Sequence, residues 1–172
     1  DDASNNFGTV SVTGSGDAVT LNDINTIDLG AITATSLGVT SAGNITDSGA
    51  VVVSGTTTLN SGNNATITLD HGSNNFGTVT VASTGDTVTL NDVDAVVLGA
   101  ISSSSLAVTA AGNITQSGNL TTTNNASFTA TGADVTLNTQ TNNFGSLTLV
   151  GNNATVNEAS STNLTGINLT NN

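Results

Sequence analysis

The chain has 172 residues with no Lys, Arg, Cys or Pro, twelve acidic residues and one histidine, His71, so its formal net charge at pH 7 is −12. Without Lys or Arg it cannot neutralise phosphates, which disfavours nucleic acid and anionic membrane surfaces as partners. The lack of cysteine excludes disulfides and thiolate metal sites, and no stretch reaches the roughly 20 apolar residues of a membrane helix, so we expect no membrane insertion.

Short strands are predicted along the whole chain. Apolar residues two positions apart point to the same side of a pleated strand, and such pairs recur with polar residues between them. In chain order they are Val10/Val12, Val19/Leu21, Ile27/Leu29, Leu37/Val39, Val51/Val53, Ile67/Leu69, Val79/Val81, Val88/Leu90, Val96/Leu98, Leu106/Val108, Val135/Leu137, Leu147/Leu149 and Ile167/Leu169. No segment shows helical periodicity, so we expect an all-β fold.

A long repeat organises these strands. The motif Asn-Asn-Phe-Gly at residues 5–8 returns at 74–77 and again at 142–145. Residues 16–23 return at 85–92, and residues 42–46 at 111–115. A constant period of this kind, here about 69 residues, is the signature of a repeat architecture. We therefore divide the chain into repeats 5–73 and 74–141 and a partial repeat 142–172.

Glycines that precede the strands divide each repeat into three parts of unequal length. The parts average about 23 residues, a size typical of one turn in solenoid proteins. Such spacing predicts a right-handed parallel β-helix, also called a β-solenoid, with about three short strands per turn and seven to eight turns. The repeated residues Phe7, Phe76 and Phe144, with Gly8, Gly77 and Gly145, should then lie three turns apart on one side of a single hydrophobic column. An antiparallel sandwich is the alternative, but it gives no reason for the long period.

The candidate chemical sites are few. His71 has no counterpart in the second repeat, where Thr139-Gln140-Thr141 stands in its place, so an exposed turn residue is expected rather than a catalytic base. Asp23, Asp28, Asp92 and Asp94 follow strand ends and are weak candidates for calcium ligands, because hard cations prefer carboxylate oxygens. The alternative is that they are solvated corner acids.

Paired carboxylates and threonine arrays suggest two further functions. Asp92 and Asp94 offer two carboxyl groups for glycoside cleavage, which requires them to stand about 5–10 Å apart across a groove. Thr-x-Thr triplets such as Thr66-Ile67-Thr68 resemble the threonine arrays of ice-binding solenoids, although outward Thr is also what a half-buried strand favours. We expect no catalytic site, no cofactor and no resident metal.

The run Ala-Gly-Asn-Ile-Thr-Gln-Ser-Gly at residues 111–118, followed by alternating Thr and aliphatic strands and then Asn-Asn-Phe-Gly, resembles the repeats of filamentous haemagglutinin-like exoproteins of bacterial two-partner secretion. The resemblance spans nearly the whole chain. It implies a giant adhesin, secreted or held at the bacterial cell surface, whose β-helical shaft carries a binding region for a host-cell or matrix receptor.

The sequence thus predicts a non-catalytic structural shaft. Neither end shows a charged, irregular cap, and the chain ends in mid-pattern at Asn171-Asn172. Exposed terminal strands are therefore expected to pair with further turns of the same chain or with another copy. The chain is interpreted as a segment excised from a longer polypeptide. The alternative is a self-assembling extracellular filament or sheath subunit whose copies stack end to end.

Overall fold

The structure, a computed structural model, describes residues 2, 4–14 and 16–170; the predicted mid-pattern end at Asn171-Asn172 lies outside them. The described residues form sixteen strands and no helix, and hence contain no helix that is long and apolar enough to cross a membrane. The strands are β1 (Thr9–Thr13), β2 (Ala18–Asp23), β3 (Ile27–Ala34), β4 (Ser36–Ser41), β5 (Ile45–Asp47), β6 (Val51–Asn60), β7 (Thr66–Leu69), β8 (Asn75–Val81), β9 (Thr87–Asp92), β10 (Val96–Ser103), β11 (Ser105–Ala110), β12 (Ile114–Gln116), β13 (Leu120–Ala130), β14 (Val135–Gly151), β15 (Ala154–Glu158) and β16 (Asn163–Leu169).

The strands wind into a parallel coil with two main stacks. Face 1 consists of β1, β3, β5, β7, β9, β11, the second halves of β13 and β14, and β16; face 2 consists of β2, β4, the second half of β6, β8, β10, β12, the first half of β14, and β15. Shorter ladders join the faces at both corners: β3 pairs with β6 at the corner that leads from face 1 to face 2, and β10 pairs with β13 at the opposite corner. Each turn therefore has two to three strands, and the predicted parallel β-solenoid is confirmed.

The strand register gives the length of a turn. On face 1, eight successive steps from strand to paired strand carry the chain from Val10 through Leu29, Leu90 and Phe128 to Ile167. The number of turns, about eight, agrees with the prediction. Each turn takes about 20 residues, at the short end of the range for solenoid repeats, so the predicted length of about 23 residues is wrong.

As a result, one repeat spans about three and a half turns instead of three. Val10 lies on face 1, whereas its repeat equivalent Val79 lies on face 2, where it pairs with Thr57 and Leu98. Leu147, the next equivalent, returns to face 1 beside Ala126. Consecutive repeats therefore present the same residues on opposite sides of the rod.

The prediction that Phe7, Phe76 and Phe144, with their glycines, lie on one side, three turns apart, is accordingly wrong. The strand segments that these motifs introduce lie on face 1, face 2 and face 1 respectively. The physical reason is that strands on both faces alternate apolar and polar residues in the same way. The pattern shows which side chains point inward but does not distinguish the two faces.

One continuous core runs along the coil. Inward aliphatic residues of successive turns stack in columns along the axis. Ile45, Ile67 and Val88 form such a column on face 1, and all three are completely buried. Burial of each such side chain stabilises the fold by roughly 1.5–3 kcal/mol. The rings of Phe128 and Phe144 meet edge to face with centroids 5.7 Å apart.

Spin-label distances will test the half-turn offset. Thr20 and Thr89 are repeat equivalents on opposite faces. Their labels should be about 20 Å or more apart, because the offset places them about 17 Å apart along the axis and at least about 10 Å across it. The control pair Thr89 and Thr148 lies three strands apart on face 1 and should give about 14 Å plus the label length. Equal distances for the two pairs in double electron–electron resonance would contradict the offset.

Candidate functional site

The second and third Asn-Asn-Phe-Gly motifs form closed corners whose first Asn is completely buried. The Asn74 side chain accepts a hydrogen bond from the backbone N–H of Val51 in the turn below (2.8 Å) and donates one to the Asp47 carboxylate (2.6 Å). Asn142 does the same one repeat later, accepting from the N–H of Leu120 (3.1 Å) and donating to Gln116 (3.0 Å). The buried Asn thus ties its corner to the preceding turn.

An acidic side chain from the following turn holds the Phe of each motif. The backbone N–H of Phe76 donates to Asp92 Oδ2 (2.7 Å), and Asp92 Oδ1 accepts from the N–H of Asp94 (2.8 Å). In the first repeat the N–H of Phe7 donates to Asp23 (2.5 Å). In the third, that of Phe144 donates to Glu158 (3.0 Å).

The Gly that ends the motif is required by close approach of the backbone. A Cβ added to Gly77 would lie 2.5 Å from the carbonyl oxygen of Ser54, and one on Gly145 would clash with that of Thr123. Gly8 belongs to the first turn, and a Cβ there would meet nothing within 4 Å. The repeated Gly therefore reflects stacking on a turn below.

Carboxylates are buried in this corner although the chain has no Lys or Arg. Burial raises the pKa of the Asp92 carboxyl, against the opposing effect of the N–H groups of Phe76 and Asp94. Burial likewise raises the pKa of Asp47, which the Asn74 side chain partly offsets. In the folded chain both groups therefore favour the neutral form more than an exposed Asp does.

A second polar cluster closes the opposite side of the coil, and the sequence did not reveal it. The hydroxyls of Ser61 and Ser83 both donate to Asp86 Oδ2, and the N–H of Ala65 donates to Oδ1 (3.2 Å). Asp86 is completely buried. Its recurrence as Asp17 in the Gly-Asp pair that precedes a strand was a signal of a structural role.

The calcium candidates do not form one cluster: among the described residues Asp92 and Asp94 interact with each other, but no three acidic side chains gather. Asp23 and Asp92 are 2% and 3% exposed and are occupied by backbone N–H groups. Asp28 accepts hydrogen bonds from the hydroxyls of Thr9 (2.8 Å) and Ser48 (2.6 Å), whereas the exposed Asp94 accepts one from Asn75 (3.0 Å).

His71 lies in a turn that it helps to build. The ring Nδ1 of His71 accepts a hydrogen bond from the backbone N–H of Ser73 (3.2 Å), and the backbone N–H of His71 donates to the Asp47 carboxylate (3.3 Å). In residues 2, 4–14 and 16–170 no three acidic, histidine or cysteine side chains cluster as a metal site requires, and no pocket is found.

The structure defines a class of protein: a parallel β-solenoid built from tandem repeats, in which buried polar side chains at the corners form hydrogen bonds between turns. Residues 16–83 and 85–151 match the model of a family described as Repeats of unknown function (DUF5649). The chain belongs to this family. The starts of the two matched ranges, residues 16 and 85, are separated by the same offset as the first two Asn-Asn-Phe-Gly motifs. No curated protein and no solved structure gives a significant match to the chain.

Substitution of the two Asn residues of one motif will test the corner. Asn142→Ala should destabilise the chain strongly, because it leaves the buried N–H of Leu120 and the Oε1 atom of Gln116 without partners, at a cost of roughly 1–3 kcal/mol per group. Asn143→Ala removes an exposed side chain from the same motif and should change the unfolding free energy by less than about 0.5 kcal/mol. Urea denaturation measures both, and similar losses for the two variants would refute a special role for the buried Asn.

The raised pKa values of Asp47 and Asp92 predict that mild acid stabilises the fold. Because the folded chain binds these protons more tightly than the unfolded chain, whose carboxyls titrate near 3.8, the free energy of unfolding should rise as the pH falls from 7 towards 4. In the opposite direction, raising the pH through the folded-state pKa should lower the free energy of unfolding.

Urea midpoints at several pH values in that range measure the effect. A double variant with Asp47→Asn and Asp92→Asn should show a smaller rise. A control with Asp17→Asn and Asp134→Asn removes the same formal charge and reports the contribution of general charge repulsion. If the two double variants respond equally to pH, the buried carboxyls are not responsible.

Proposed function

We propose that the chain is part of the shaft of a large secreted or cell-surface adhesin and has no catalytic role. The observation that carries this proposal is the unbroken stacking of turns, in which the repeated polar residues are occupied by hydrogen bonds between turns. Asn74, Asn142, Asp23 and Asp92 are all buried and engaged in this way. Such residues are suited to maintaining a rod.

The resemblance of residues 111–118 and the Asn-Asn-Phe-Gly motifs to filamentous haemagglutinin-like exoproteins supports the same function. It also supports an extracellular or bacterial cell-surface location, with a host-cell or matrix receptor bound elsewhere on the adhesin. The complete lack of Lys and Arg fits an exposed fibre, because trypsin-like proteases have no cleavage site in it.

Duplication of one repeat will test the shaft. A chain in which residues 74–141 occur twice in tandem should be about 17 Å longer, because three and a half turns are added at about 4.8 Å per turn. Its cross-section should remain unchanged. Small-angle X-ray scattering measures both dimensions, and duplication of residues 74–107 alone is the control, since it joins strands that are not repeat equivalents. A compact or broadened particle from the full duplication would overturn the rod.

Location requires a separate experiment. Antibodies raised against the purified chain should label intact cells of the source organism, and the label should be lost when the cells are treated with a broad-specificity protease. If labelling requires permeabilised cells, the adhesin proposal fails even when the rod is correct.

The second candidate function is a filament subunit that stacks end to end. The observation in its favour is the last strand, β16, where Leu164 and Ile167 are 57% and 54% exposed. An uncovered strand of this kind is a template for pairing. Sedimentation velocity across a range of protein concentrations distinguishes the two candidates, because only a filament subunit should associate.

A further inference from the structure

The C-terminal end of the coil presents an uncovered rung of the core. Leu164 and Ile167 on β16 stand directly above the buried residues Leu147 and Leu149 in the inward column of face 1. They are exposed because no turn lies on top of them within the described residues. The end therefore combines apolar side chains with a strand that is paired on one side, to β14.

This rung is the third copy of one that occurs twice lower in the coil. In each copy the two inward residues of the upper strand are three positions apart and those of the lower strand two apart, with an irregularity of register between them. The stacked pairs are Leu29 and Ile32 on Val10 and Val12, Leu98 and Ile101 on Val79 and Val81, and Leu164 and Ile167 on Leu147 and Leu149.

The two lower copies are covered in the same way. Val51 lies above Ile32, and Leu120 lies above Ile101. Asp47 and Gln116 pair with Leu29 and Leu98, while Ile45 and Ile114 cover Ile27 and Val96 at the start of the same strands. Both covering segments have the sequence Gly-Asn-Ile-Thr-x-Ser-Gly-x-aliphatic, at residues 43–51 and 112–120. Because the first two copies of the rung are covered by this sequence, a segment of the same sequence is expected to fit on the third copy.

The glycines of this covering sequence fit the rung for a steric reason. A Cβ on Gly43 would lie 2.8 Å from the backbone nitrogen of Thr26, and one on Gly112 equally close to that of Ala95. A Cβ on Gly49 would lie 2.6 Å from the nitrogen of Ala31. The covering segment must therefore carry Gly where its chain crosses the turn below.

The first turn of a second copy lacks these features. It begins with the corner of residues 5–8, and in the later repeats this corner sits on a strand such as β6, whose Val51 N–H binds the buried Asn74. At the open end no strand of that type is available to Asn5. Two copies would also meet with a formal charge of −12 each and no cation.

We propose that the open rung of Leu164 and Ile167 is a docking surface for one further turn of the same repeat, of the form Gly-Asn-Ile-Thr-x-Ser-Gly-x-aliphatic. It rests on the proposed shaft function and deepens it by specifying how the shaft is extended. A second copy of the chain is not the partner of this surface.

An extended chain tests the proposal. Thr170 is the repeat equivalent of Ser104, so a copy of residues 105–141 is placed directly after it. Hydrogen exchange of the β16 amides should slow at least about tenfold relative to the unextended chain, because the added turn covers the rung. The control extension carries Asp in place of the residues copied from Ile114 and Leu120, and should give no slowing.

Equal slowing by both extensions, or by neither, would overturn the proposal. So would β16 protection in the unextended chain that increases with its concentration, since that result assigns the surface to a second copy. Scattering of the unextended and duplicated chains distinguishes a failure here from a failure of the shaft, because a rod can be present without this mode of extension.

Discussion

Every part of this structure depends on the stacking of one turn on the next. A single turn leaves its amide and carbonyl groups unpaired above and below, and it half covers each aliphatic side chain. In the coil, parallel pairing satisfies the backbone groups of adjacent turns, and side chains such as Ile67 and Val88 become fully buried. Stability therefore accumulates along the axis, as in other repeat proteins.

The corners meet the same constraint with polar side chains. A corner cannot continue the regular ladder, so its amides need other acceptors, and buried polar groups without partners are costly. Asn74 and Asn142 supply acceptors to amides in the turn below them, and Asp23, Asp92 and Glu158 do the same for the Phe of the motif in the turn below. The recurring motif thus maintains the coil, and two of the acids that suggested cation chemistry, Asp23 and Asp92, accept hydrogen bonds from backbone N–H groups.

The half-turn offset determines the surface of the rod. Because one repeat spans about three and a half turns, features that recur in the sequence alternate between two opposite faces. Val10, Val79 and Leu147 illustrate this alternation. Stacking neighbours are nevertheless equivalent in successive repeats, since β8 lies on β6 and the second half of β14 lies on the equivalent strand β13. Unequal turn lengths are accommodated at the corners and at irregularities of register between paired strands.

The sequence by itself determined the all-β class, the inward residues of most strands, the long period and the stacking into about eight parallel turns, because alternation and repetition are local properties of the chain. It did not determine which face each strand joins, the true length of a turn, or the partners of Asn142, Asp86 and Asp92. These depend on residues that are distant along the chain and meet only when turns stack. Spacing along the chain cannot reveal such contacts, so only the tertiary structure decided them.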